Sequence, residues 1–310
     1  MIRFLIHRLA LCALVLVGVS IVVFTILHLT PGDPVYLMLP EGASDAQITA
    51  MRQKIGLDKP LYEQYWLYAS AVIRGDLGES LFFKQSNAKI IFQHLQATAV
   101  LTFAAMVVSL SISLPLGVLA GLKKESTVDF FAMFLALLGQ SMSPVWMGVL
   151  LIYVFSVKFA LFPPLGYGTL WHLILPAITL GTPLAALVTR LTRAGMVDVL
   201  QEDYILALRA KGVPERKLIF RYALKNVLIP VVTVVGIQIG TFLGGAVVTE
   251  TIFGWPGVGR LAVSAIMARD FPMVQAIILV VSALFVLVIL LVDIIYTILD
   301  PRLKFESGND

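Results

Sequence analysis

Charge is what this sequence has least of. Of its 310 residues only 14% are Asp, Glu, Lys or Arg, while 59% are hydrophobic. A soluble domain carries about 25% charged and about 45–50% apolar residues. A chain of this length needs a polar shell around its core to be soluble, and these numbers cannot supply one. Cysteine is nearly missing too. Cys12 stands alone in an apolar run, which excludes a disulfide framework or a thiolate metal cluster and leaves a small buried apolar residue as its reading.

Catalytic signatures are also missing. No Gly-Lys dipeptide occurs, hence no phosphate loop of the Walker type, and no His-Glu-x-x-His metal helix. The four histidines, His7, His28, His94 and His172, are scattered, and Gly-x-Ser-x-Gly does not occur. The apolar runs hold almost no titratable groups, which argues against an embedded enzyme and against an ion-driven carrier. The formal charge of +4 is too slight to point to nucleic acid.

What is present is a series of long apolar runs, at Leu9–Leu29, Thr98–Gly121, Phe130–Val157, Leu173–Thr192, Ile229–Val248 and Ala276–Leu299. Each reaches the roughly 20 residues a helix needs to cross the hydrocarbon. Only helix satisfies the backbone there, so the expectation is an all-α, polytopic membrane protein with about six spans. Pro144, after Gln140-Ser141-Met142-Ser143, predicts a kink in the third. Arg3 and Arg8 precede the first run as in a signal peptide. That run is too long for one, and Leu27-His28-Leu29-Thr30 offers no small-x-small cleavage site, so it reads as a retained span.

With the N-terminus inside, the inner segments hold Arg3, Arg8, Lys123, Lys124, Arg190, Arg193, Arg209, Lys211, Arg216, Lys217, Arg221, Lys225, Arg302 and Lys304. That is 14 of the 23 Lys and Arg. Nearly all the others fall in the two longer outer loops, where the positive-inside rule is weaker. Both termini are then expected in the cytoplasm. The expected division is a first span over 1–29, a structured outer loop over 30–97, a five-span core over 98–300 with an inner loop at 198–226, and a tail over 301–310.

In the outer loop, Ser44-Asp45-Ala46-Gln47 reads as a capping box opening a helix that Gly56 closes. Pro60 suits a first helical position before Leu61–Arg74, with Gly75 as the stop. A loop with that much structure is either a partner's platform or a passive lid. The inner loop is the most charged stretch. It predicts a helix over Val199–Lys211, a break at Gly212-Val213-Pro214 and a helix over Glu215–Asn226. Lys217, Arg221 and Lys225 form a basic stripe beside Leu218 and Tyr222, which suits either a handle for a partner or a helix lying on anionic headgroups.

Several polar or small residues within the runs have two readings. Gln140, Ser141 and Ser143, with Gln238 and Thr241, suit the lining of a polar path or ordinary interhelical hydrogen bonds. Asp293 is the lone acidic residue deep in a run. A proton relay is the functional reading, but its closeness to Asp300-Pro301-Arg302 favours capping or pairing. Gly236, Gly240 and Gly244, like Gly117 and Gly121, recur at four-residue spacing and predict close helix packing, within the chain or with a subunit. In Phe253-Gly254-Trp255-Pro256-Gly257-Val258-Gly259-Arg260, Pro256-Gly257 fits a type II turn and Trp255 a membrane interface.

Around the inner break the sequence reads Asp203-Tyr204-Ile205-Leu206-Ala207-Leu208-Arg209-Ala210-Lys211-Gly212, then Arg221-Tyr222-Ala223-Leu224-Lys225-Asn226 and Leu228-Ile229-Pro230. This resembles the coupling loop of ABC-importer permeases in the form used by the dipeptide/oligopeptide/nickel branch. Other segments match that branch in order: Thr30-Pro31-Gly32-Asp33-Pro34, Gly56-Leu57-Asp58-Lys59-Pro60-Leu61-Tyr62, Gly75-Asp76-Leu77-Gly78-Glu79-Ser80, Trp255-Pro256-Gly257-Val258-Gly259-Arg260 and Leu299-Asp300-Pro301-Arg302. One departure stands out. The generic motif begins Glu-Ala-Ala where this chain has Leu206, Ala207 and Leu208.

The resemblance implies a type I importer permease fold in a bacterial inner membrane. It implies a second homologous permease subunit, two ATP-binding subunits and an external solute-binding protein. ATP and Mg would sit on the partner subunits, with no cofactor on this chain. It also implies that Asp203, Tyr204, Ala207, Arg209, Ala210, Lys211 and Gly212 dock on an ATPase. Peptides, glutathione, nickel chelates and short glycans are all handled by related permeases. The rival expectation is a self-sufficient secondary transporter or channel.

Overall fold

The computed structural model describes residues 2–29, 44–55, 58–244 and 246–299. The Thr30–Pro34 and Asp300–Arg302 segments, Gly56 with Leu57, and the tail lie outside them. Five described helices are long and apolar enough to cross a membrane. They are α1 (Ile2–Leu29), α4 (Asn87–Leu122), α7 (Leu170–Val199), α9 (Glu215–Leu243) and α12 (Phe271–Leu299). Between α1 and α4 lie α2 (Asp45–Ile55) and α3 (Leu61–Ile73). Ser44 and Gln47 form the expected reciprocal cap: the Ser44 N–H donates to Gln47 Oε1 (2.9 Å) and the Gln47 N–H to Ser44 Oγ (3.4 Å).

The third run differs from the expected kinked span. It is two helices, α5 (Thr127–Ser141) and α6 (Pro144–Lys158), meeting at 104°. Pro144 lacks an N–H and pushes the residue before it out of helical conformation; Met142 and Ser143 have ψ of 129° and 138°. Ser143 then caps the new helix, accepting from the Val145 N–H at 3.3 Å. Six crossings result only if this bent pair counts as one.

The centre of the molecule is the parallel pair α4–α7, in which Ala105 lies beside Gly181 and Gly121 beside Met196. Their backbones touch because glycines face them. A Cβ on Gly117 would stand 2.8 Å from the Thr189 carbonyl, one on Gly121 2.5 Å from Met196 Cβ, and one on Gly181 2.7 Å from the Ala105 carbonyl. More than half of the α7 apolar window, 56%, is enclosed by the rest of the chain, against 11% in α1 and in α12. So α7 is the core element, and α1 and α12 form the rim. The Gly236/Gly240/Gly244 stripe packs inside the chain, on Val292, Phe285 and Val281 of α12.

Asp293 pairs with Arg8 at 3.1 Å and so joins the rim helices α1 and α12. This is the pairing reading, with a partner from the first span rather than from the exit segment after Leu299.

Beyond α9 come two short helices, α10 (Val247–Ile252) and α11 (Val258–Met267). The fifth crossing therefore ends at Leu243, not at Val248. Two buried carboxylates tie this end together. Glu250 accepts from Thr98 Oγ1 of α4 (2.8 Å) and from the Arg260 N–H (2.9 Å), while Thr98 Oγ1 accepts from the Val258 N–H (2.9 Å). A carboxylate suits the first turn of α11, whose N–H groups lack helical partners.

Asp270 caps α12, accepting from the Met273 N–H at 3.3 Å. It also accepts from Ser80 Oγ and from the N–H groups of Leu81 (3.1 Å) and Phe82 (3.2 Å). The segment 80–83 is thereby fastened to the core.

Trp255 is 2% exposed and its Nε1–H donates to the Ala97 carbonyl at 2.9 Å. It is therefore a core residue and not the interface anchor its sequence suggests. Nor do Pro256-Gly257 make a type II turn, because Gly257 has φ −94° and ψ 176°. Glycine is required there by space: a Cβ would lie 2.1 Å from Glu250 Oε1.

A direct test of the rim packing is Gly236→Val. Its Cβ would stand 2.1 Å from Val292 Cγ2, and overpacking of this kind costs about 1–3 kcal/mol. Thermal unfolding in detergent should show the loss, and Val292→Ala in the same chain should restore part of it. No recovery in the double variant would mean that α9 and α12 do not meet at this point.

Candidate functional site

The inner loop folds into one short helix, α8 (Asp203–Ala210), seated between the ends of α7 and α9. α7 runs on to Val199, so the first inner helix begins at Asp203 and not at Val199. The second inner helix is not separate: Glu215–Leu243 is continuous, with a π-helical turn over Leu218–Ala223. A basic stripe that starts a membrane span cannot lie flat on headgroups as a free amphipathic helix does, and the structure excludes that form of the reading.

The helix is bounded as its chemistry dictates. Asp203 is in its first turn and Arg209 in its last, each matching the sign of the helix dipole. Gly212 ends it with φ +78°, a conformation that favours glycine. The Val213 N–H bonds back to the Leu208 carbonyl (3.2 Å) and the Gly212 N–H to that of Arg209 (3.0 Å), which satisfies two orphan acceptors. Pro214 then caps α9.

One side of α8 is core. Ile205 is 0% exposed and packs with Met196 of α7, Leu218, Ala223 and Val227 of α9, and Val118 of α4; Leu208 and Val213 complete the cluster. The other side is solvent-facing and carries Asp203, Tyr204, Leu206, Ala207, Arg209, Ala210, Lys211 and Gly212. Arg209 grips Glu215 across the turn with Nε–Oε1 2.6 Å and Nη2–Oε2 3.4 Å. That hydrogen bond raises the guanidinium pKa, so Arg209 stays charged at any working pH. Tyr204 Oη accepts from Asn226 Nδ2 at 2.7 Å. The result is a knob with a small-residue patch (Ala207, Ala210, Gly212), an apolar rim (Tyr204, Leu206) and charges around it. A Cβ on Gly212 would meet nothing within 4 Å, so the patch is open.

All seven residues expected to dock therefore share one exposed unit. Sequence reasoning missed Ile205, the residue that seats it. The signal was present, since Ile205, Leu208 and Val213 are the apolar positions of an otherwise polar stretch.

The expected path residues do not converge in this way. Gln140 is exposed and accepts from Arg190 Nη1. Ser141 Oγ donates to the Leu137 carbonyl (2.8 Å), Ser143 caps α6, and Thr241 Oγ1 donates to the Ile237 carbonyl (3.1 Å). Gln238 is half-buried in α9. Among the described residues no hydrogen bond joins the α5–α6 set to the α9 set. Close to the knob, Arg193 of α7 holds Asp129 of α5 through two bonds of 2.6 and 2.7 Å; this clamp was not expected from sequence.

Residues 113–305 match the family described as binding-protein-dependent transport system inner membrane component, and residues 1–102 match the N-terminal part of such components. The chain belongs to this family. It is a multi-pass inner-membrane permease subunit of a transport system. The chain is 39% identical over 333 residues to the dipeptide transport system permease protein DppB of Alkalihalophilus pseudofirmus, with 98% of this chain and 100% of that protein covered. It is 40% identical over 306 residues to the glutathione transport system permease protein GsiC of Escherichia coli K12, covering 99% and 100%. Among solved structures, the MetNI methionine ABC transporter in inward-facing conformations is similar with a TM-score of 0.59. The identity there is 16%, over 69% of this chain and 97% of that one. This likeness establishes the ABC-importer permease fold.

The geometry predicts two different responses on the knob of this permease. Ile205→Ala opens a cavity under α8 and should cost about 2–5 kcal/mol locally, seen as faster hydrogen exchange across residues 203–213. Leu206→Ala, on the exposed side, should leave that exchange unchanged. Equal protection in both variants would mean that Ile205 is not the anchor.

Proposed function

We propose that this subunit carries peptides or related small solutes across the membrane, driven by ATP hydrolysis on two separate subunits that grip the α8 knob. Support for the substrate class comes from the dipeptide and glutathione systems named for its relatives. The observation that carries the coupling role is the seating of Ile205 at 0% exposure between α7 and α9. A force on the open patch at Ala207, Ala210 and Gly212 passes into two membrane helices, with little play in a packed cluster. ATP and Mg belong to the partner subunits on this reading, and the subunit's own role is transport rather than catalysis.

The knob end, with both chain termini, faces the cytoplasm, as the count of Lys and Arg supports. A second homologous permease completes the path, which passes Gln140, Ser141 and Ser143 at the α5–α6 bend and Gln238 and Thr241 on α9. An external binding protein delivers solute at the opposite end. Coupling then requires two discrete arrangements that nucleotide and solute bias differently.

The test is made in the assembled importer. Ala207→Arg and Ala210→Trp place bulk on the exposed patch without touching the Ile205 cluster. Insertion and assembly should persist, and transport should fall at least about tenfold, equivalent to roughly 1.4 kcal/mol of coupling, while ATP hydrolysis continues. Transport at the parental rate would remove the docking assignment. Uptake by this chain alone in liposomes, driven by an ion gradient, would favour a secondary transporter instead.

A further inference from the structure

Helix α3 packs on α1 at a depth where a water-soluble helix has no reason to be. Tyr65 Oη is hydrogen-bonded to Ser20 Oγ of α1 at 2.9 Å. The Phe24 ring meets those of Tyr65 and Tyr68 with centroids 5.4 and 6.0 Å apart. Both contact residues of α1 lie inside its apolar window, Ile6–Ile26. At 1.5 Å per residue, Phe24 is about 3 Å and Ser20 about 9 Å short of the end of that window. Interfacial helices bury their apolar faces about 5–10 Å into the boundary between headgroups and acyl chains. The crossing of α3 on α1 falls in that band.

The face of α3 beside that contact is apolar, aromatic and uncovered. Tyr62, Trp66 and Ile73 share it, at helical spacing, with Leu67 beside them; Trp66 is 73% and Ile73 87% exposed. No residue of α3 is fully buried. Its mooring helix α1 is itself exposed along Leu14, Val17, Ile21 and Ile26, as a span bordered by lipid is. Charged groups gather toward its two ends, Lys59 just before it with Glu63 in its first turn, and Arg74 just after. Tyr and Trp suit this position because each has an apolar body and a polar tip.

We infer that α3 is an interfacial helix: its Tyr62–Trp66–Ile73 face lies in lipid, at the headgroup level of the leaflet opposite the knob, with α1 as its mooring. A soluble binding protein would have to enter that leaflet to cover this face, and lipid is already there. This assignment is independent of how the knob is used. It divides the outer segment into a part held by the membrane, at α3, and a part held by protein, at 80–83, where Asp270 takes the backbone amides.

The test uses the complete importer reconstituted in nanodiscs, with Cys12→Ser as background. Spin labels are placed one at a time through Tyr62→Cys, Trp66→Cys and Ile73→Cys, with Asp58→Cys as an aqueous control. Collision with oxygen should exceed collision with a water-soluble nickel chelate several-fold at the three face positions, and the order should reverse at Asp58. Nickel access at all three equal to that at Asp58 would place the face in water and overturn the inference. Exclusion of both reagents, with an immobilised label, would show a protein partner covering it and would overturn it equally.

Quenching by brominated lipids gives a second measurement that does not depend on the labels. The parental protein should lose more tryptophan fluorescence than Trp66→Phe does. Identical quenching in the two would remove Trp66 from the lipid.

Discussion

Two backbones in contact, those of α4 and α7, set the rest of this molecule. Lipid tails are as apolar as the side chains facing them, so helices in a bilayer gain little by hiding apolar surface from one another and associate by close packing. Gly117, Gly121 and Gly181 let α4 and α7 approach until carbonyls and side-chain stems are in van der Waals contact. The pair is in effect one beam spanning the membrane. At one end α4 supplies Ala97 and Thr98 to the Trp255 and Glu250 locks. At the other, α4 supplies Val118 and α7 Met196 to the cluster that seats Ile205. The knob at one end and the Trp255 turn at the other are therefore fixed to the same rigid element.

Buried charge stands where elements join. Glu250 ties α10 to α4 and α11; Asp270 ties the 80–83 segment to α12; Asp129 and Arg193 tie α5 to α7; Arg8 and Asp293 tie α1 to α12. In a low-dielectric surrounding an unpaired carboxylate is costly, and the partner that relieves it gains a geometric role. Scarcity of charge and economy of linkage are thus one fact. With few ionic groups to place, nearly every buried one was available to fix the relative position of two segments distant in the chain.

The parts legible in the sequence were those governed by local periodicity or local turn chemistry. The apolar runs, the Ser44–Gln47 cap, the end of α8 at Gly212 and the start of α9 at Pro214 all follow from residues within one or two turns of each other. The parts that were not legible depend on residues far apart. Glu250 and Thr98 are separated by 152 positions and Ser80 and Asp270 by 190, and no period in the sequence records such a pairing. Trp255 illustrates the limit well. A tryptophan just past an apolar run fits an interface by its neighbours, and only the proximity of the Ala97 carbonyl and the Tyr167 ring makes the interior the better place. The bend at Ser143 was visible as a break but not as a right angle, because its size depends on what α6 then packs against.

The knob also explains its own departure from the generic coupling motif. Of the two leucines that stand where glutamate and alanine are usual, Leu208 turns inward to the cluster with Val213, so its extra bulk serves the knob's own seating. Leu206 faces outward at 49% exposure. With Tyr204 it makes the rim of the open patch apolar where the generic form is charged, and the remaining charges, Asp203, Arg209 and Lys211, stand around it. Arg209 is already engaged by Glu215, which leaves Asp203 and Lys211 as the outward-facing charges on α8 and its cap. A groove complementary to this knob must therefore be apolar at its centre and must meet charge only at its edge. That is a different demand from the one a glutamate at position 206 would make.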